Sequence, residues 1–339
     1  MTAPLADDRA YCRAVLPRVS RTFALNIRLL PGELGDAVHT GYLLCRAADA
    51  LEDSWPGSPA EISARFDLAL ASMAGDAAAA EELARGAAAL AAGRDDLELV
   101  ASFPRVWRVW RALPQHDRAA LAECVRTLAA GMSRYAARAA ARPAGAPYLD
   151  TEAELHDYCW VVAGCVGVML TRLFATRLAE ADPARAALRL ALAPAVGESL
   201  QLTNILLDWP ADVRRGRCYV PATWLAERGL SPADLVGADR PEVRALAQRL
   251  ESLARAALVR VPDYVETLPA GAVRIRLFCL WPARWALASL EHARRDPEFP
   301  WGPRRPRLPR ARLWAAALAS LLAHRDGALR KLRGAAATA

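Results

Sequence analysis

The chain has 339 residues, of which 54% are hydrophobic and 24% are charged, a composition that excludes a disordered chain and predicts a sizeable buried core. The formal net charge is +7, and it is carried almost wholly by arginine because Lys331 is the only lysine. The arginines are scattered among alanines without a nucleic-acid-binding motif, so we expect no nucleic acid partner. An excess of positive charge instead favours small anions or lipid headgroups as partners.

Helical patterns dominate the first half of the chain, so the sequence predicts an all-α fold. A short helix near 7–16 should stop at Pro17, and the segment 20–30 leads to Pro31. A long helix is then expected over 32–53. The next segments are predicted to be alanine-rich outer helices over 59–92, with Arg65 on their polar side, and helices over 103–113 and 115–142.

The second half begins after a proline- and glycine-rich loop, 143–147. Thr151 is predicted to cap a helix over 151–177, with Glu154 completing a capping box. The small residues Ala163, Gly164 and Gly167 would let a neighbouring helix or a substrate chain approach closely. Further helices are expected over 182–208, 240–268, 271–294 and 310–333, with loops over 221–237 and 297–309.

The seven cysteines lack the spacing of a zinc site, and the five histidines form no cluster. The first residues are acidic and lack an apolar core, so no signal peptide is expected. The longest apolar run, 160–170, is too short to span a bilayer. We therefore predict a cytoplasmic protein whose cysteines are small core residues in a reducing compartment: Cys45, Cys159, Cys165 and Cys279.

One polar stripe is predicted on the long helix over 32–53. Asp49 and Asp53 are four residues apart, so their carboxylates share a helix face. Arg46 and Tyr42 lie on the same stripe, and Glu52 lies beside it. Surrounding leucines and alanines mark the remaining faces as apolar.

A second polar stripe is predicted between 198 and 221, where Asp208 and Asp212 repeat the four-residue spacing. Asn204 and Gln201 extend it by one turn each. A solvated helix face explains either pair alone, but two such pairs suit Mg²⁺ ions that hold a diphosphate and act as Lewis acids on the leaving group. Pro210 predicts a kink or a helix end near 206–210, which leaves the placement of Asp212 open.

Four segments in order, SRTFALNIRLLP, YLLCRAADALED, YCWVVAGCVG and LQLTNILLDWPAD, resemble the squalene/phytoene synthase family of head-to-head prenyl synthases. The resemblance covers most of the chain and implies one monomeric all-α bundle with a central cavity. That isoprenoid-synthase domain would occupy 1–339, with a core over about 8–325 and a short frayed tail.

The resemblance also implies a role for each matching residue. Core packing is an equal or stronger explanation for Tyr158, Phe23 and Phe278. Leu207 departs from the family, which usually has a basic residue there, so Arg214, Arg215 or Arg217 would have to replace that phosphate contact. The implied catalytic residues are Tyr42, Tyr158, Asp49, Asp53, Asp208 and Asp212; the implied metal ligands are Asp49, Glu52, Asp53, Asn204, Asp208 and Asp212; the implied substrate-binding residues are Ser20, Arg21, Phe23, Arg46, Gln201, Asn204 and Phe278.

The resemblance implies joining of two prenyl diphosphates with Mg²⁺, and it is closest to squalene synthases in TRLF and FCLWPARWALASL. Squalene formation would require NADPH, for which Arg305 and Arg307 of the arginine-rich segment are candidates; a surface basic loop is the alternative. Phytoene, dehydrosqualene or presqualene diphosphate synthesis, a class I terpene cyclase and a non-catalytic scaffold protein are the other interpretations.

The last predicted helix combines apolar and basic side chains, which favours peripheral contact with an anionic membrane. Packing of the same helix on the protein core is the alternative. The residues concerned are Leu313, Trp314, Leu318, Leu321, Leu322, Arg325, Arg330, Lys331 and Arg333.

Overall fold

The computed structural model describes residues 3–178 and 182–323, together with positions 329 and 334, and these residues form helices and loops without a strand. The predicted all-α fold is confirmed. The chain divides into two compact units, unit 1 (Met1–Ala141 and Met169–Arg177) and unit 2 (Arg142–Val168 and Leu178–Ala339). A single domain over 1–339 stays a prediction.

Unit 1 is built around one long central helix, α3, whose predicted bounds are confirmed. Its apolar face includes Leu43, Leu44 and Leu51, all buried, and packs against several neighbouring helices of unit 1. This packing leaves the polar stripe on the remaining face. The helices are α1 Ala3–Val19, α2 Arg21–Ile27, α3 Gly32–Asp53, α4 Pro59–Met73, α5 Ala77–Ala88, α6 Asp95–Ala101, α7 Phe103–Arg111 and α8 Gln115–Ala140.

Arg65 corrects the prediction that α4 is only an outer helix with this side chain on its polar side. The side chain is buried, and its guanidinium donates to the carbonyls of Trp55 and Pro56, both at 2.7 Å. It also stacks over the Trp55 ring at 4.3 Å. Carbonyl groups at the end of a helix need hydrogen-bond donors from outside the helix. Arg65 supplies such donors and so fixes the chain at the end of α3, the helix that carries the first acidic pair. Pro17 lies inside α1, so the predicted stop there is also wrong.

Unit 2 is built around α11, a helix of 32 residues that carries the second acidic pair. Its main partners are a π-helical stretch, Trp160–Gly164, and the helices α13, α14 and α15. The helices are α9 Glu152–Cys159, α10 Cys165–Ala175 (divided between the units), α11 Pro183–Arg214, α12 Ala222–Ala226, α13 Pro241–Leu258, α14 Arg260–Glu266, α15 Val273–Ala293 and α16 Arg310–Ala323, with a 3₁₀ turn at Pro232–Leu235.

The predicted helix end near Pro210 is wrong, because α11 continues to Arg214. Trp209 and Pro210 are both buried, and the Trp209 indole donates to the carbonyl of Leu235 at 3.1 Å. Packing on these two side chains outweighs the backbone hydrogen bond that a proline removes. Asp212 therefore stays on the helix, one turn after Asp208.

Two other helix predictions need correction. The predicted helix over 151–177 is interrupted by the π-helical stretch, and the one over 240–268 divides at Val259. Thr151 caps α9 by accepting from the Glu154 N–H at 3.3 Å, as predicted. The Glu154 carboxylate accepts from the Asp150 N–H at 2.6 Å, one residue earlier than a capping box requires.

By length and composition alone, two helical stretches, Glu152–Ala175 and Pro183–Arg214, could cross a membrane. Half of the most apolar window of each is buried inside the protein. Core helices of water-soluble proteins have the same properties, so this observation is weak support for a membrane span.

The predicted amphipathic helix at the end of the chain is described only to Ala323. Trp314, Leu318 and Leu321 of α16 are exposed, whereas the Leu313 carbonyl accepts from the Trp285 indole of α15 at 3.1 Å. The side chain of Leu322 and all of Arg325, Arg330, Lys331 and Arg333 lie outside the described residues. Peripheral contact with an anionic membrane stays a prediction.

Glycines bring α11 into backbone contact with the chain around the π-helical stretch. A Cβ added to Gly197 would lie 2.1 Å from the Ala163 carbonyl oxygen, and one added to Gly167 would lie 2.3 Å from the Ala193 carbonyl oxygen. The small residues that were predicted to allow close approach therefore pack against a neighbouring helix, α11. This contact fixes where α11 lies within unit 2.

Replacing Gly197 with alanine tests this contact. Because the clash is with backbone, the helices must move apart, and we expect Gly197→Ala to lower the free energy of unfolding by about 1–3 kcal/mol. Gly271→Ala is the matched control, since a Cβ there meets no atom within 4 Å. Urea unfolding followed by circular dichroism gives both values; equal stability of the two variants would contradict the assigned role of Gly197.

Candidate active site

The first acidic stripe lies on α3 and is partly open to solvent. Arg46 Nη1 lies 3.7 Å from Asp49 Oδ2, and these side chains are 32% and 37% exposed. Burial raises the pKa of Asp49 to about 7; the negative charge of Asp53 acts in the same direction, and Arg46 acts in the opposite direction. Burial and mutual repulsion thus disfavour the ionised form of this carboxylate pair, and a bound cation would compensate for both effects.

One residue that the sequence analysis missed, Asp96, lies beside Arg46. Asp96, at the start of α6, lies 3.9 Å from Arg46 Nη2 and accepts hydrogen bonds from the Ser54 hydroxyl and the Leu97 N–H. Burial acts to raise the pKa of Asp96, but these hydrogen bonds lower it overall. Asp96 therefore stays ionised beside Arg46. A start-of-helix aspartate is common, so no sequence signal distinguishes it.

Arg46 retains unused hydrogen-bonding capacity. Its Nε is buried and has no hydrogen-bond partner in the described part of the chain. The two ion pairs of its Nη atoms, at 3.7 and 3.9 Å, are longer than direct hydrogen bonds. A guanidinium held this loosely can turn toward an anionic ligand.

The segment before α3 contributes to the same part of unit 1. Ser20 caps α2 by accepting from the Phe23 N–H at 3.3 Å. The Phe23 ring lies 5.4 Å from the Tyr42 ring, and Ser20 also hydrogen-bonds to Tyr42. Burial raises the pKa of Tyr42, so its hydroxyl keeps its proton at neutral pH. The structure thus brings Ser20, Phe23 and Tyr42 together, whereas Arg21 is exposed on α2.

The second acidic stripe runs along α11 as predicted. Gln201 is half-buried, Asn204 is exposed, and Asp212 is buried and paired with Arg215. Asp208 Oδ1 lies 2.7 Å from Arg305 Nη1. Burial raises the pKa of Asp208, with a further increase from Asp212 and opposing effects from arginines, Arg305 first among them.

The cation beside Asp208 comes from the arginine-rich segment and not from the neighbouring helical position. Leu207 is buried, so that position faces the protein interior. Arg214 donates to the carbonyls of Trp301 and Gly302, at 2.9 and 2.7 Å, which fixes the start of the segment against the end of α11. Arg305 then reaches Asp208.

Tyr158 lies in an aromatic cluster of unit 2 that the sequence analysis did not foresee. Its ring centroid is 5.0 Å from that of Tyr219 and 5.9 Å from that of Tyr148. The Tyr148 N–H donates to the Cys218 carbonyl at 2.7 Å, which joins the loop before α9 to the loop after α11. Phe278 is a buried residue of α15, in agreement with the core-packing alternative.

The acidic residues fit magnesium better than a metal enclosed by protein ligands. No group of three or more histidine, cysteine or acidic side chains that could hold a metal occurs in the described ranges. Mg²⁺ needs only one or two carboxylates because waters and substrate phosphates complete its shell. Each stripe supplies two carboxylates four residues apart, and in each one burial has raised the pKa of a carboxyl.

The relatives of the chain include squalene synthases and phytoene synthases. The chain is 28% identical to the squalene synthase of Homo sapiens over 300 residues, which cover 84% of this chain and 64% of the relative. It is 26% identical to the 15-cis-phytoene synthase of Synechococcus elongatus, covering 85% and 82%. A squalene synthase of Botryococcus braunii is 30% identical, with 62% and 42% covered. The chain thus spans about 40 to 65% of the length of the squalene synthases that it matches.

Solved structures share the fold. A structure of TcSQS with a ligand covers 97% of both chains with a TM-score of 0.70 at 23% identity. A dehydrosqualene synthase with a ligand covers 93% of this chain and 95% of its own, with a TM-score of 0.62 at 20% identity. The model of the family described as squalene/phytoene synthase matches residues 16–312, so the chain belongs to the squalene/phytoene synthase family.

Proposed function

We propose that this protein joins two prenyl diphosphates head to head after Mg²⁺-assisted ionisation. The observation that carries the proposal is the pair of acidic stripes, on α3 and α11, each with two carboxylates four residues apart and a cationic arginine in contact with one of them. Membership of the family supports the same reaction class. A binding protein without catalysis would not need to keep both carboxylate pairs.

The metal would be held by Asp49, Asp53 and Glu52 on α3 and by Asp208, Asp212 and Asn204 on α11. Bound Mg²⁺ would neutralise the charge that develops on the departing diphosphate. Arg46, with its unpartnered Nε, would bind diphosphate oxygens, assisted by Ser20 and Arg21; Gln201 would help to orient the substrate.

The aromatic residues would act on the hydrocarbon part of the substrate. Tyr42, whose hydroxyl keeps its proton, and Tyr158 are proposed to lie at the reaction centre, where they could hold or move a proton. Phe23, in contact with Tyr42, would exclude water from the carbocation and present a π face to it. Phe278, a buried residue of α15, would be a separate cavity wall.

The proposed substrate is farnesyl diphosphate and the proposed product is squalene, formed through presqualene diphosphate. The segments TRLF and FCLWPARWALASL support this choice. NADPH would then be required, and Arg307 and Arg305 are its proposed phosphate contacts. Arg305, which lies beside Asp208, is in addition the proposed replacement for the diphosphate contact that Leu207 does not provide. Phytoene or dehydrosqualene synthesis is the alternative, favoured by the relatives named phytoene synthase.

Product analysis tests the proposal. Purified protein is incubated with farnesyl or geranylgeranyl diphosphate and Mg²⁺, with and without NADPH, and lipids are identified by mass spectrometry. Squalene formed only with NADPH is expected, and excess chelator should stop substrate consumption. If presqualene diphosphate or dehydrosqualene accumulates whether or not NADPH is present, the reductive step is refuted; if no condensation occurs, the whole proposal fails.

A further inference from the structure

The guanidinium of Arg214 joins the last turn of α11 to the segment that follows α15. Its Nη1 donates to the carbonyls of Pro210 and Gly302, both at 2.7 Å, and its Nη2 donates to the carbonyl of Trp301 at 2.9 Å. Three hydrogen bonds to backbone thus occupy a side chain that has five N–H donors. Arg214 is therefore held by the protein itself and is a poor source of the phosphate contact that Leu207 does not provide.

Two further contacts hold Trp301 in place. Its carbonyl also accepts from the Gly237 N–H at 2.9 Å. The Arg244 guanidinium stacks over its ring, 5.1 Å from the centroid, and Arg244 Nε donates to Asp239 Oδ1 at 2.7 Å. Trp301 is therefore fixed by the end of α11, by the loop before α13 and by the first turn of α13.

Little backbone freedom remains between this fixed point and Arg305. Pro303 and Pro306 lie on either side of Arg305, and a proline fixes its own φ angle and restricts the residue before it. Gly302 is buried, and a Cβ there would lie 2.8 Å from the Glu298 carbonyl oxygen. A backbone that is restricted in this way transmits the position of the Gly302 carbonyl to Arg305.

The hydrogen bonds from Arg214 to the carbonyls of Trp301 and Gly302 form a carbonyl clamp. We propose that Arg214, through this clamp, is a positioning residue that places Arg305 against Asp208. Arg214 and Asp208 lie on the same helix, so the clamp fixes the arginine-rich segment relative to the carboxylate that Arg305 Nη1 meets at 2.7 Å. The effect on turnover rests on the proposed function, in which Arg305 contacts the diphosphate, whereas the clamp itself can be tested without substrate.

Hydrogen exchange followed by mass spectrometry tests the clamp in the full chain without substrate. Arg214→Ala removes both hydrogen bonds of the clamp, so the amides of peptides covering 301–308 should exchange about 10-fold faster than in the parent protein. Arg214→Gln, whose amide can still reach one carbonyl, should give a smaller increase. Peptides from α3 and α8 should exchange as in the parent protein, which verifies that each variant is folded.

Formation of presqualene diphosphate without NADPH tests whether Arg214 acts through Arg305. We expect Arg214→Ala to lower kcat of this step about 10-fold. Arg305→Ala alone and Arg214→Ala with Arg305→Ala should be equally slow, because a residue that acts only through Arg305 has no further effect once Arg305 is absent. A direct phosphate contact from Arg214 would instead make the double variant slower than Arg305→Ala.

Arg228→Ala is the matched control, since it removes another exposed arginine of unit 2. It should leave both hydrogen exchange and turnover at the parental values. Unchanged exchange of 301–308 in Arg214→Ala, or a double variant that is slower than Arg305→Ala, would overturn the proposal. If the parent protein forms no presqualene diphosphate, the proposed function fails, and the exchange result alone decides whether Arg214 holds the segment.

Discussion

Asp49→Asn and Asp208→Asn are each expected to lower turnover about 1,000-fold or more. The amide has nearly the shape of the carboxylate but no negative charge, so it is a poor ligand for Mg²⁺. Both side chains are partly exposed on helices whose packing faces lie elsewhere, and the fold should therefore persist. Steady-state consumption of farnesyl diphosphate measures the effect, and circular dichroism verifies the fold.

Asp67→Asn is the control for this prediction because Asp67 is an exposed aspartate of α4, apart from either stripe. It should retain parental turnover. Full activity of either Asp49→Asn or Asp208→Asn would show that its carboxylate is dispensable and would remove the basis for metal-assisted ionisation at that stripe.

Arg305→Ala is expected to slow the first half of the reaction about 100-fold. Arg305 contacts Asp208 at 2.7 Å, so it is placed to provide the phosphate contact that Leu207 does not. Asp208 would hold Mg²⁺, and the Arg305 guanidinium beside it would bind the substrate diphosphate. The measurement is formation of presqualene diphosphate without NADPH, because that step needs no reductant.

Arg307→Ala separates the two proposed roles of the arginine-rich segment. It should leave the first half-reaction nearly unchanged, raise the Michaelis constant for NADPH and let presqualene diphosphate accumulate. Arg295→Ala removes an exposed arginine outside that segment and should change neither step. If Arg305→Ala behaves like Arg307→Ala, Arg305 serves only the reduced cofactor, and the diphosphate contact must be sought elsewhere.

The sequence predicted α3 from end to end because its signals are local. Pro31 and Gly32 begin the helix, and the Trp-Pro-Gly turn after Asp53 ends it. Prediction from the sequence was wrong where contacts with residues distant in the chain determine the local structure. Pro210 looks like a helix end until the burial of Trp209 against the loop around Leu235 is known, and Arg65 looks like a surface residue until the carbonyls that follow α3 are placed beside it.

In the candidate site, too, relations within one helix could be predicted from the sequence and contacts between segments could not. Helical spacing was sufficient to group Asp49 with Arg46 and Asp208 with Asp212, since those relations lie within one helix. Ion pairs between segments could not be read from spacing. Asp96 and Arg46 are 50 positions apart, and Arg305 follows Asp208 by 97; neither separation leaves a periodic signal.

Helix α11 carries both the glycine contact at Gly197 and the carboxylates of Asp208 and Asp212, so the position of one along the helix determines the position of the others. Each added residue turns the rest of a helix by about 100° and advances it by about 1.5 Å. A single insertion between Gly197 and Asp208 would therefore move the Asp208 carboxylate away from Arg305, or else separate Gly197 from the Ala163 carbonyl. Insertions and deletions are accordingly expected to be tolerated in loops such as 143–147, whereas the number of residues between Gly197 and Asp212 should not change.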